Sequence, residues 1–573
     1  MKDEKFNNTK THFRETKSCQ NCQNNFTITP DDLVFYEKVG VPESHECPSC
    51  RMRNRMLFRN DRTFYRRTCD LCKKSIISTY HESAPHPVYC APCFWSDNWD
   101  PTSYGRDIDF SRPFFDQLYD LYKIVPALAI LNDNGIASVN CEYNYDWFYS
   151  KNCYMNAAGW HAENVLYSYH IEHNKDIIDS MHMRESELAY ECMQCYKIAR
   201  SSYLTYSSDS TDCHYGYDLR GCSDCLMCFG LRNKRYCIKN VEYTKEEYEK
   251  ILSEINFSSR ETRNKMFEEF KEFYIKKPHK FAYILKSVNS TGDFIVNSKN
   301  SKNSFMMING ENNAHCFISD TSKDTYDCDA TGKSELSYYS MVADEATRAL
   351  FTVFCMRANE VYYSLYSSGA SWCFGCISHK KGSYSILNKK YTKEEYQKLK
   401  AQLIDHMKKT GEWGEFFPKN FSSYAYNESS AQEIFPLTKN EALDKGYSWR
   451  DPSERNYTID LETSDVPDDS SALPDDISTK VIACADNGKC LCKCTTAFKV
   501  TPDELILYKK LKIPLPILCP NCRHARRISR RNPPKLFNRT CMKEGCENEF
   551  ETSYYPERPE IVYCEKCYQQ EVN

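Results

Sequence analysis

A twelve-residue period over residues 151–240 constrains this chain more than any other feature of its sequence. Twelve residues of α-helix advance a side chain about 120° past whole turns, so residues twelve apart cannot stay on one helical face. A coiled β-solenoid keeps them aligned, because its short strands stack about 4.8 Å apart from one rung to the next. Two columns of mostly small or apolar residues follow the period: Cys153, Val165, Ile177, Ala189, Ser201, Cys213, Cys225 and Cys237, and, three residues later, Asn156, Ser168, Ser180, Cys192, Leu204, Gly216, Cys228 and Asn240.

The pattern occurs twice in the chain. Both copies close on almost the same phrase, EYTKEEYEK at 242–250 and KYTKEEYQK at 390–398, so the solenoid is duplicated at a shift of 148 residues. Asn or Asp also precedes the first column of the first copy at five positions: Asn152, Asn164, Asp176, Asp212 and Asp224. The second copy continues in twelves through Thr325, Ser337, Ala349, Val361, Cys373 and Ser385.

Paired cysteines near both termini predict four zinc ions. Tetrahedral zinc takes four sulfur or imidazole ligands, and a Cys-x2-Cys turn lets two sulfurs reach one ion. The alternative is a set of buried structural thiols. The predicted N-terminal ligands are Cys19, Cys22, Cys47 and Cys50, then Cys69, Cys72, Cys90 and Cys93. The C-terminal ligands, most of them shifted by 472 residues, are Cys490, Cys494, Cys519 and Cys522, then Cys541, Cys546, Cys564 and Cys567.

The first of the two C-terminal ligand sets departs from this spacing. Cys494 matches Cys22, but Leu491 occupies the position that matches Cys19, and it lies between Cys490 and Cys492. Cys490 is preferred as the fourth ligand, because a single residue between Cys492 and Cys494 is a tight spacing for one shared ion.

The cysteine motifs also predict a local fold. Pro48 directly follows Cys47, and proline is favoured in the first turn of a helix, so the second cysteine pair begins a helix. Together with a knuckle at the first pair and a hairpin between the pairs, this is treble-clef geometry. The motif C-x2-C-x3-F-x-I-T-P…F-Y…C-P-x-C-R at 19–51 resembles the treble-clef zinc-ribbon domain of many uncharacterised bacterial proteins.

The resemblance extends over nearly the whole chain. The segments YGRDIDFSRPFFDQL (104–118), LRGCSDCLMCFGLRNK (219–234) and NRTCMKEGCENEFETSYYPERPEIVYCEKCY (538–568) are similar to long zinc-ribbon-containing proteins predicted from uncultured bacteria. The resemblance implies bound zinc and no particular activity.

Arginines cluster directly after two of the cysteine pairs. They suit phosphate backbones, through bidentate hydrogen bonds and counterion release. The alternatives are pairing with Asp or Glu of the linkers or solenoid, or solvation of a helix face. Because the net charge is −4, any basic site must be local. No RNP, KH or helix-turn-helix signature accompanies the candidates, which are Arg51, Arg53, Arg55, Arg59, Arg523, Arg526, Arg527, Arg530 and Arg531.

Cysteines and histidines of the solenoid offer further metal-like spacings. Most of these cysteines lie on the two inward columns, so they are predicted to pack as small buried side chains. His161 and His173, like His170 and His182, are one rung apart and could share a metal or act as acid and base. No nucleophile pattern, phosphate loop or carboxylate pair accompanies them. The cysteines are Cys192, Cys195, Cys222, Cys225, Cys228, Cys373 and Cys376.

These features predict a mainly β chain with helical connectors, in which a duplicated β-solenoid is flanked by N- and C-terminal tandem zinc-ribbon or treble-clef modules. The predicted segments are a disordered tail (1–16), zinc modules (17–97 and 479–573), a helical cap on the first solenoid (98–131), solenoids (132–242 and 283–390), helical connectors (243–282 and 391–450) and a flexible acidic linker (451–478).

Three functions follow as hypotheses. The leading one is a non-enzymatic zinc protein whose basic modules bind RNA, possibly ribosomal, with the solenoid as spacer and recognition surface. The alternatives are a protein-interaction scaffold and a metal-dependent enzyme centred on His161, His170, His173 and His182. The start of the sequence has no apolar signal core, and no apolar run approaches the ~20 residues of a membrane span. A cytoplasmic location is therefore expected.

Overall fold

The computed structural model describes residues 15–452, 457–474 and 476–572. The predicted disordered tail therefore lies almost wholly outside the described residues, as do five positions of the predicted linker. The described chain is mainly β, with two large, almost entirely parallel sheets and clusters of cysteines near both termini.

The N-terminal region consists of two small units, each built on an antiparallel hairpin. The hairpin predicted between the first two cysteine pairs is wrong: the hairpin strands of the first unit flank Cys19 and Cys22, and a helix occupies the segment between the pairs. Thr29 caps that helix in a capping box with Asp32, and Pro30 occupies its first turn. The elements are β1 (Glu15–Ser18), β2 (Asn25–Ile28), α1 (Pro30–Val39), α2 (Pro48–Met56), β3 (Tyr65–Thr68), β4 (Ser75–Ser78), β5 (Val88–Tyr89) and α3 (Ala91–Phe94).

The segment after these units contains a 3₁₀ turn (Pro101–Tyr104), α4 (Phe114–Tyr122) and β6 (Ala127–Leu128). Helix α4 is amphipathic, as predicted, but it does not cap the first repeat. The Phe114 ring lies 5.4 Å from that of Phe374 and 5.6 Å from that of Tyr363, both in the second repeat. The aromatic residues of that distant repeat offer α4 a better apolar surface than a sheet edge does.

The first large sheet contains twelve strands. Its strands pair in parallel with a register of twelve residues, so that Val165 lies beside Ile177 and Ile177 beside Ala189. The final hairpin is antiparallel. The strands are β7 (Tyr145–Phe148), β8 (Ala157–Trp160), β9 (Glu163–Leu166), β10 (Tyr169–Glu172), β11 (Lys175–Ile178), β12 (Met181–Arg184), β13 (Glu187–Tyr190), β14 (Met193–Thr205), β15 (Ser208–Tyr217), β16 (Ser223–Phe229), β17 (Arg235–Ile238) and β18 (Val241–Glu242).

Within the twelve-residue period, the backbone conformation repeats every three residues. From Asn152 to Asp218 every third residue has a positive φ, with values of 45–57°. The residue that follows each of these, such as Cys153, Val165 or Ile177, is buried. Backbone hydrogen bonds to the preceding rung support the strained positions, as where the Asn164 amide donates to the Lys151 carbonyl at 3.0 Å.

Between the two large sheets the chain forms α5 (Lys245–Ser253), α6 (Arg260–Ile275) and β19 (Pro278–Lys280). The T-x-x-E sequences at Thr244–Glu247 and Thr392–Glu395 predict capping boxes, and the first also predicts one helix over roughly 245–273. The capping box of Thr244 and Glu247 is confirmed at the start of α5. The single helix expected over 245–273 is instead two helices, because Ser259 caps a new start by accepting a hydrogen bond from the Thr262 amide.

The second large sheet contains eleven strands, and from its second strand on the parallel pairs keep the register of twelve, which places Thr347 beside Asn359. Its first pair is offset by eleven, with Ile284 beside Ile295, and its last pair is antiparallel. After this sheet come helices of the second connector, the first of which begins at the predicted Thr392 and Glu395 capping box. The strands are β20 (Ile284–Leu285), β21 (Gly292–Val296), β22 (Ser304–Ile308), β23 (Phe317–Asp320), β24 (Tyr326–Gly332), β25 (Tyr338–Met341), β26 (Thr347–Leu350), β27 (Asn359–Tyr362), β28 (Ser371–Phe374), β29 (Ser383–Ile386) and β30 (Lys389–Lys390), and the helices are α7 (Lys393–Thr410), α8 (Ala431–Ile434) and α9 (Lys439–Asp444).

The acidic segment before the C-terminal region is partly ordered. The expectation that nothing in it joins a core is wrong for Val466, Leu473 and Ile477, which are buried against the C-terminal region. That region repeats the N-terminal one, with β31 (Ile482–Ala483), β32 (Ala497–Phe498), α10 (Pro502–Leu511), α11 (Pro520–Arg530), β33 (Phe537–Thr540), β34 (Glu549–Thr552), β35 (Ile561–Tyr563) and α12 (Glu565–Val572).

The two large sheets lie side by side along a seam, with the order of their strands reversed. Early strands of the first sheet meet late strands of the second, where the rings of Tyr145 and Phe354 are 5.9 Å apart. At the other end the Tyr206 ring stacks on Tyr283 at 5.0 Å. Between these contacts Arg184 pairs with Asp320 at 2.6 Å. The terminal regions pack over this seam.

Candidate metal centres

Four groups of four cysteines could hold a metal ion. Within each group the sulfur atoms all lie within 4.8 Å of one another. The Sγ atoms of Cys22 and Cys47 are 3.8 Å apart, as are those of Cys72 and Cys90. A tetrahedral ion with metal–sulfur bonds of about 2.3 Å separates its ligands by about 3.8 Å. The geometry therefore fits a four-coordinate thiolate site.

The backbone holds the sulfurs in the same way in all four groups. The amide of the third cysteine donates a hydrogen bond to Sγ of the first, at 3.2 to 3.3 Å. In three groups the third cysteine is also the N-cap of a helix, so the positive end of that helix faces the sulfurs and favours thiolates. The four donor–acceptor pairs are Cys47–Cys19, Cys90–Cys69, Cys519–Cys484 and Cys564–Cys541.

The third group corrects the sequence prediction. Cys484, not Cys490, completes the set with Cys494, Cys519 and Cys522. Cys484 Sγ accepts from the Cys519 amide, the contact that Cys19 makes in the first group. Alignment by a constant shift missed it, because the loop between the first two ligands is longer here and moves the first ligand upstream. Cys494 and the fourteen other predicted ligands, that is, all except Cys490, lie in the groups that the sequence predicted.

One thiol of the second group, that of Cys69, has a lowered pKa. Burial opposes ionisation of Cys69, but hydrogen bonds from the backbone amides of Cys90, Cys72 and Leu71 lower its pKa to about 7. A thiol with such a pKa is about half ionised at pH 7, and the thiolate is the form that binds metal.

The predicted nucleic-acid arginines of α2 are mostly buried against the large sheets. Arg51 and Arg55 lie four residues apart on one face of the helix, and their side chains are no more than 2% exposed. Arg51 pairs with Asp327 at 2.8 Å, and Arg55 pairs with Asp327 and with Asp329. We call these four residues the N-terminal clamp.

Arg59, just beyond α2, crosses the seam to the other sheet. Its guanidinium pairs with Asp61 at 2.7 Å and with Asp146 of the first large sheet at 2.9 Å. The N-terminal region therefore contacts both sheets.

The arginines of α11 make the equivalent contacts with the first large sheet. Arg523 and Arg527 both pair with Asp179, at 3.0 and 2.7 Å, and Arg527 and Arg530 pair with Glu191 at 3.2 and 2.6 Å. We call these residues the C-terminal clamp. Arg523 corresponds to Arg51 at the shift of 472, and Asp179 corresponds to Asp327 at the shift of 148.

The remaining predicted arginines differ in exposure. Arg526 is exposed, while Arg53 and Arg531 are half-buried. Arg531 lies over the Phe317 ring at 5.6 Å, and its guanidinium is 3.4 Å from His182 Nε2. Of the nine candidates, Arg526 is the one classed as exposed. Of the carboxylates that bind the buried arginines, Asp179 and Asp327 are related by the shift of 148 residues, a signal that was visible in the sequence.

Burial and charge together set the protonation of the clamp carboxylates. Burial alone would raise the pKa of Asp327, but Arg51, His315 and Arg55 hold it below its usual value. Burial raises the pKa of Asp329 to about 6, although Arg55 opposes the shift. The two neighbouring acids therefore differ in their response to pH.

The four histidines form two pairs, as the period predicts. The exposed rings of His161 and His173 stack 4.7 Å apart, while those of His170 and His182 are 5.2 Å apart. Burial, with Arg59 and Arg184 nearby, lowers the pKa of His170 to about 3, so this ring stays neutral. His182 contacts Arg531 of the C-terminal region, which makes the second pair part of the packed seam.

The sheet cysteines pack as predicted for a core. Cys192, Cys195, Cys222, Cys225 and Cys228 belong to one buried cluster, and Cys373 and Cys376 belong to another. Their thiols donate to backbone carbonyls, as Cys225 does to Ser223 at 3.3 Å.

No protein-family model matches this chain, and no curated protein matches it either. Among the described helices, none combines the length and the apolar character that crossing a bilayer requires.

Proposed function

We propose that the chain is a non-enzymatic zinc protein in which four structural Cys₄ zinc modules hold two β-solenoids together, and that the assembly serves as a protein-interaction scaffold. The observation that carries the proposal is the pair of clamps. Buried ion pairs direct the basic helices of the modules toward the sheets of the same chain, rather than toward solvent.

Zinc is the metal that suits the sites best. Four cysteine sulfurs at tetrahedral spacing are typical of structural zinc, whereas catalytic zinc keeps one position for water. Each proposed ion closes a loop that brings a helix start to a hairpin. Binding of the ion is thereby coupled to folding of the module. The resemblance to bacterial zinc-ribbon proteins supports the same metal.

The solenoid proposal rests on the twelve-residue parallel register of both sheets. A coiled chain with this register presents ladders of side chains on its outside. One outer column of each sheet alternates in charge, and within it Lys175 pairs with Glu163 at 3.1 Å and Lys323 with Glu311 at 3.6 Å. Such a ladder suits a polar protein surface better than a polyanion. The columns are Lys151, Glu163, Lys175 and Glu187, and Lys299, Glu311, Lys323 and Glu335.

RNA binding is the second candidate, and it depends on the basic residues that remain accessible. Exposed Arg526 is adjacent in sequence to buried Arg527, so the two form a matched pair for a test. A protein that binds phosphates through α11 needs Arg526. A protein that uses α11 to hold its own sheet needs Arg527.

The experiment compares Arg527→Gln with Arg526→Gln. Removal of one partner from a buried ion pair costs about 3–5 kcal/mol, so Arg527→Gln should lower Tm by several degrees. Exposed substitutions usually change stability by less than about 0.5 kcal/mol, so Arg526→Gln should leave Tm unchanged. Both variants should bind single-stranded RNA no differently from the wild type at about 50 mM salt, where phosphate contacts are strong.

Two results would contradict the proposal. If Arg526→Gln weakens a measurable RNA affinity and Arg527→Gln does not change Tm, the modules act on nucleic acid. If three or fewer zinc ions per chain are found by elemental analysis after gentle purification, the structural role assigned to the four centres is wrong.

A further inference from the structure

Six cysteines converge on the third centre, two more than one tetrahedral ion requires. Besides the four ligands, Cys490 and Cys492 place their sulfurs 3.7 and 3.5 Å from Cys522 Sγ. These two cysteines form a disulfide with each other. The carboxylate of Asp486 closes the group, and its oxygen accepts a hydrogen bond from the Cys490 amide at 2.9 Å.

The extra residues belong to an insertion that the other three centres lack. Two or four residues separate the first two ligands elsewhere, and none of them is a cysteine. Here the segment 485–493 separates Cys484 from Cys494, and it carries Asp486, Cys490 and Cys492. Its backbone returns to the centre, because the Gly488 amide donates to Cys494 Sγ at 3.3 Å. The insertion thus adds donors at the edge of an existing site.

We propose that this centre takes a second thiophilic divalent ion, such as zinc or cadmium, when Cys490 and Cys492 are reduced. The second ion would be bound by Asp486, Cys490, Cys492 and Cys522, whose ligand atoms lie within 4.8 Å of one another. Cys522 is shared with the first ion and bridges the two metals. Three sulfurs and one carboxylate oxygen complete the four-coordinate shell that zinc prefers.

Reduction is the step that opens the site. A dithiol reductant attacks one sulfur of the Cys490–Cys492 bond and frees the other sulfur as a thiolate, and its second thiol then displaces the attacked sulfur from the mixed disulfide. The reductant becomes a disulfide, and the protein gains two electrons and two protons as two thiols. The ion displaces both thiol protons on binding, because the thiolate is the ligand. In the oxidised protein the same two sulfurs are bonded to each other, and the centre binds one ion.

The number of bound ions tests the proposal directly. The full chain is treated with a phosphine or dithiol reductant, saturated with zinc, freed of excess metal and measured by elemental analysis. We expect five ions per chain after reduction and four without it. The double variant Cys490→Ser/Cys492→Ser should hold four in both conditions. Leu491→Ser, an exposed change between the two cysteines, is the matched control and should still hold five.

Cadmium NMR tests the shared sulfur. With ¹¹³Cd in every site, two resonances should show mutual through-bond coupling, since only a bridging thiolate connects two ions. The coupling and one resonance should disappear in Cys490→Ser/Cys492→Ser. Asp486→Asn should shift the second resonance and keep the first in place.

Four ions in the reduced wild type, with no coupled pair, overturn the second site and leave the four-site proposal intact. Five ions without coupling overturn the bridging role of Cys522. Three or fewer ions contradict the four structural centres themselves, which is a separate failure.

Discussion

At the scale of single residues, the most informative contacts are the buried carboxylates that each bind two guanidinium groups. Asp327 pairs with Arg51 and Arg55, and Asp179 pairs with Arg523 and Arg527. Removing such a carboxylate takes a partner from two buried guanidinium groups at once, although Arg55 still pairs with Asp329 and Arg527 with Glu191. The acids occupy left-handed positions, with φ of 52° at Asp327 and 51° at Asp179, which aspartate tolerates better than most residues.

Asp329 makes the N-terminal clamp sensitive to pH. Its pKa of about 6 lies above the usual value of 3.8, so the folded protein binds an extra proton between these two values. Wild type should therefore gain stability relative to Asp329→Asn as the pH falls, by about 1.4 kcal/mol between pH 7.5 and 5 and by up to about 3 kcal/mol once the pH lies below 3.8. The measurement is the difference in Tm between the two proteins across that range.

Asp327→Asn serves as the comparison for this prediction. The pKa of Asp327 is held below its usual value, so this carboxyl titrates at a pH lower than the range from 7.5 to 5. The difference in Tm between wild type and Asp327→Asn should stay constant there. A constant difference for Asp329→Asn as well would show that this carboxyl remains ionised.

At the scale of elements, the sheets are built from three-residue steps within a twelve-residue period. The period was visible in the sequence because the inward side chains must be small. The Asn and Asp residues before the first column were the visible sign of left-handed backbone, which these residues adopt most readily after glycine. The full three-residue repeat of left-handed positions could not be predicted from the sequence. Tyr167, Leu188 and Met227 occupy the same left-handed conformation, and these residue types do not indicate it.

This three-residue repeat predicts that two nearby glutamate positions have opposite preferences for valine and asparagine. Exposed Glu185 has φ of 49°, whereas exposed Glu187 lies in β13 with an ordinary strand backbone. A β-branched residue is disfavoured in the left-handed region and favoured in a strand. Glu185→Val should therefore be less stable than Glu185→Asn by about 1–2 kcal/mol.

The order should reverse at the second position, where Glu187→Val should be at least as stable as Glu187→Asn. Thermal unfolding of the four variants checks both comparisons. The Lys197 ion pair of Glu185 is lost in both substitutions at that site, so it cancels. Equal stability of valine and asparagine at 185 would contradict a left-handed conformation there.

At the scale of the whole molecule, the chain has two similar halves, and the terminal region of each half contacts the large sheet of the other. The N-terminal region clamps the second large sheet, and the C-terminal region clamps the first. Further contacts repeat at the same shifts, such as Lys38 with Asp324 at 2.9 Å and Lys510 with Asp176 at 2.7 Å. The duplication, the terminal cysteine ligands other than Cys484 and the capping boxes were predictable from the sequence. The sequence did not predict that each terminal region contacts the large sheet of the other half. The similarity between the two terminal regions, and between the two sheets, does not determine which region contacts which sheet.

The terminal regions also contact each other. An Arg62 guanidinium nitrogen is 2.5 Å from His524 Nδ1, and both side chains approach Glu433, which lies between them in α8. Burial opposes ionisation of Glu433, but His524 and Arg62 lower its pKa below the usual value. The two clamps are therefore joined by a small charged network, and the network raises the question of whether they open separately.

Hydrogen exchange in Asp179→Asn and Asp327→Asn answers that question. Each substitution leaves two buried arginines with a weaker partner, and each clamp draws on different residues. Effects of separate sites usually add within about 0.5 kcal/mol, so each variant should loosen its own helix only. We expect faster amide exchange in α11 for Asp179→Asn and in α2 for Asp327→Asn, with the other helix unchanged. If the centres hold the proposed zinc, chelator should release it faster from the third centre in the first variant and from the first centre in the second. Faster exchange in both helices of either variant would mean instead that the seam opens as one unit, with Arg62, Glu433 and His524 transmitting the change.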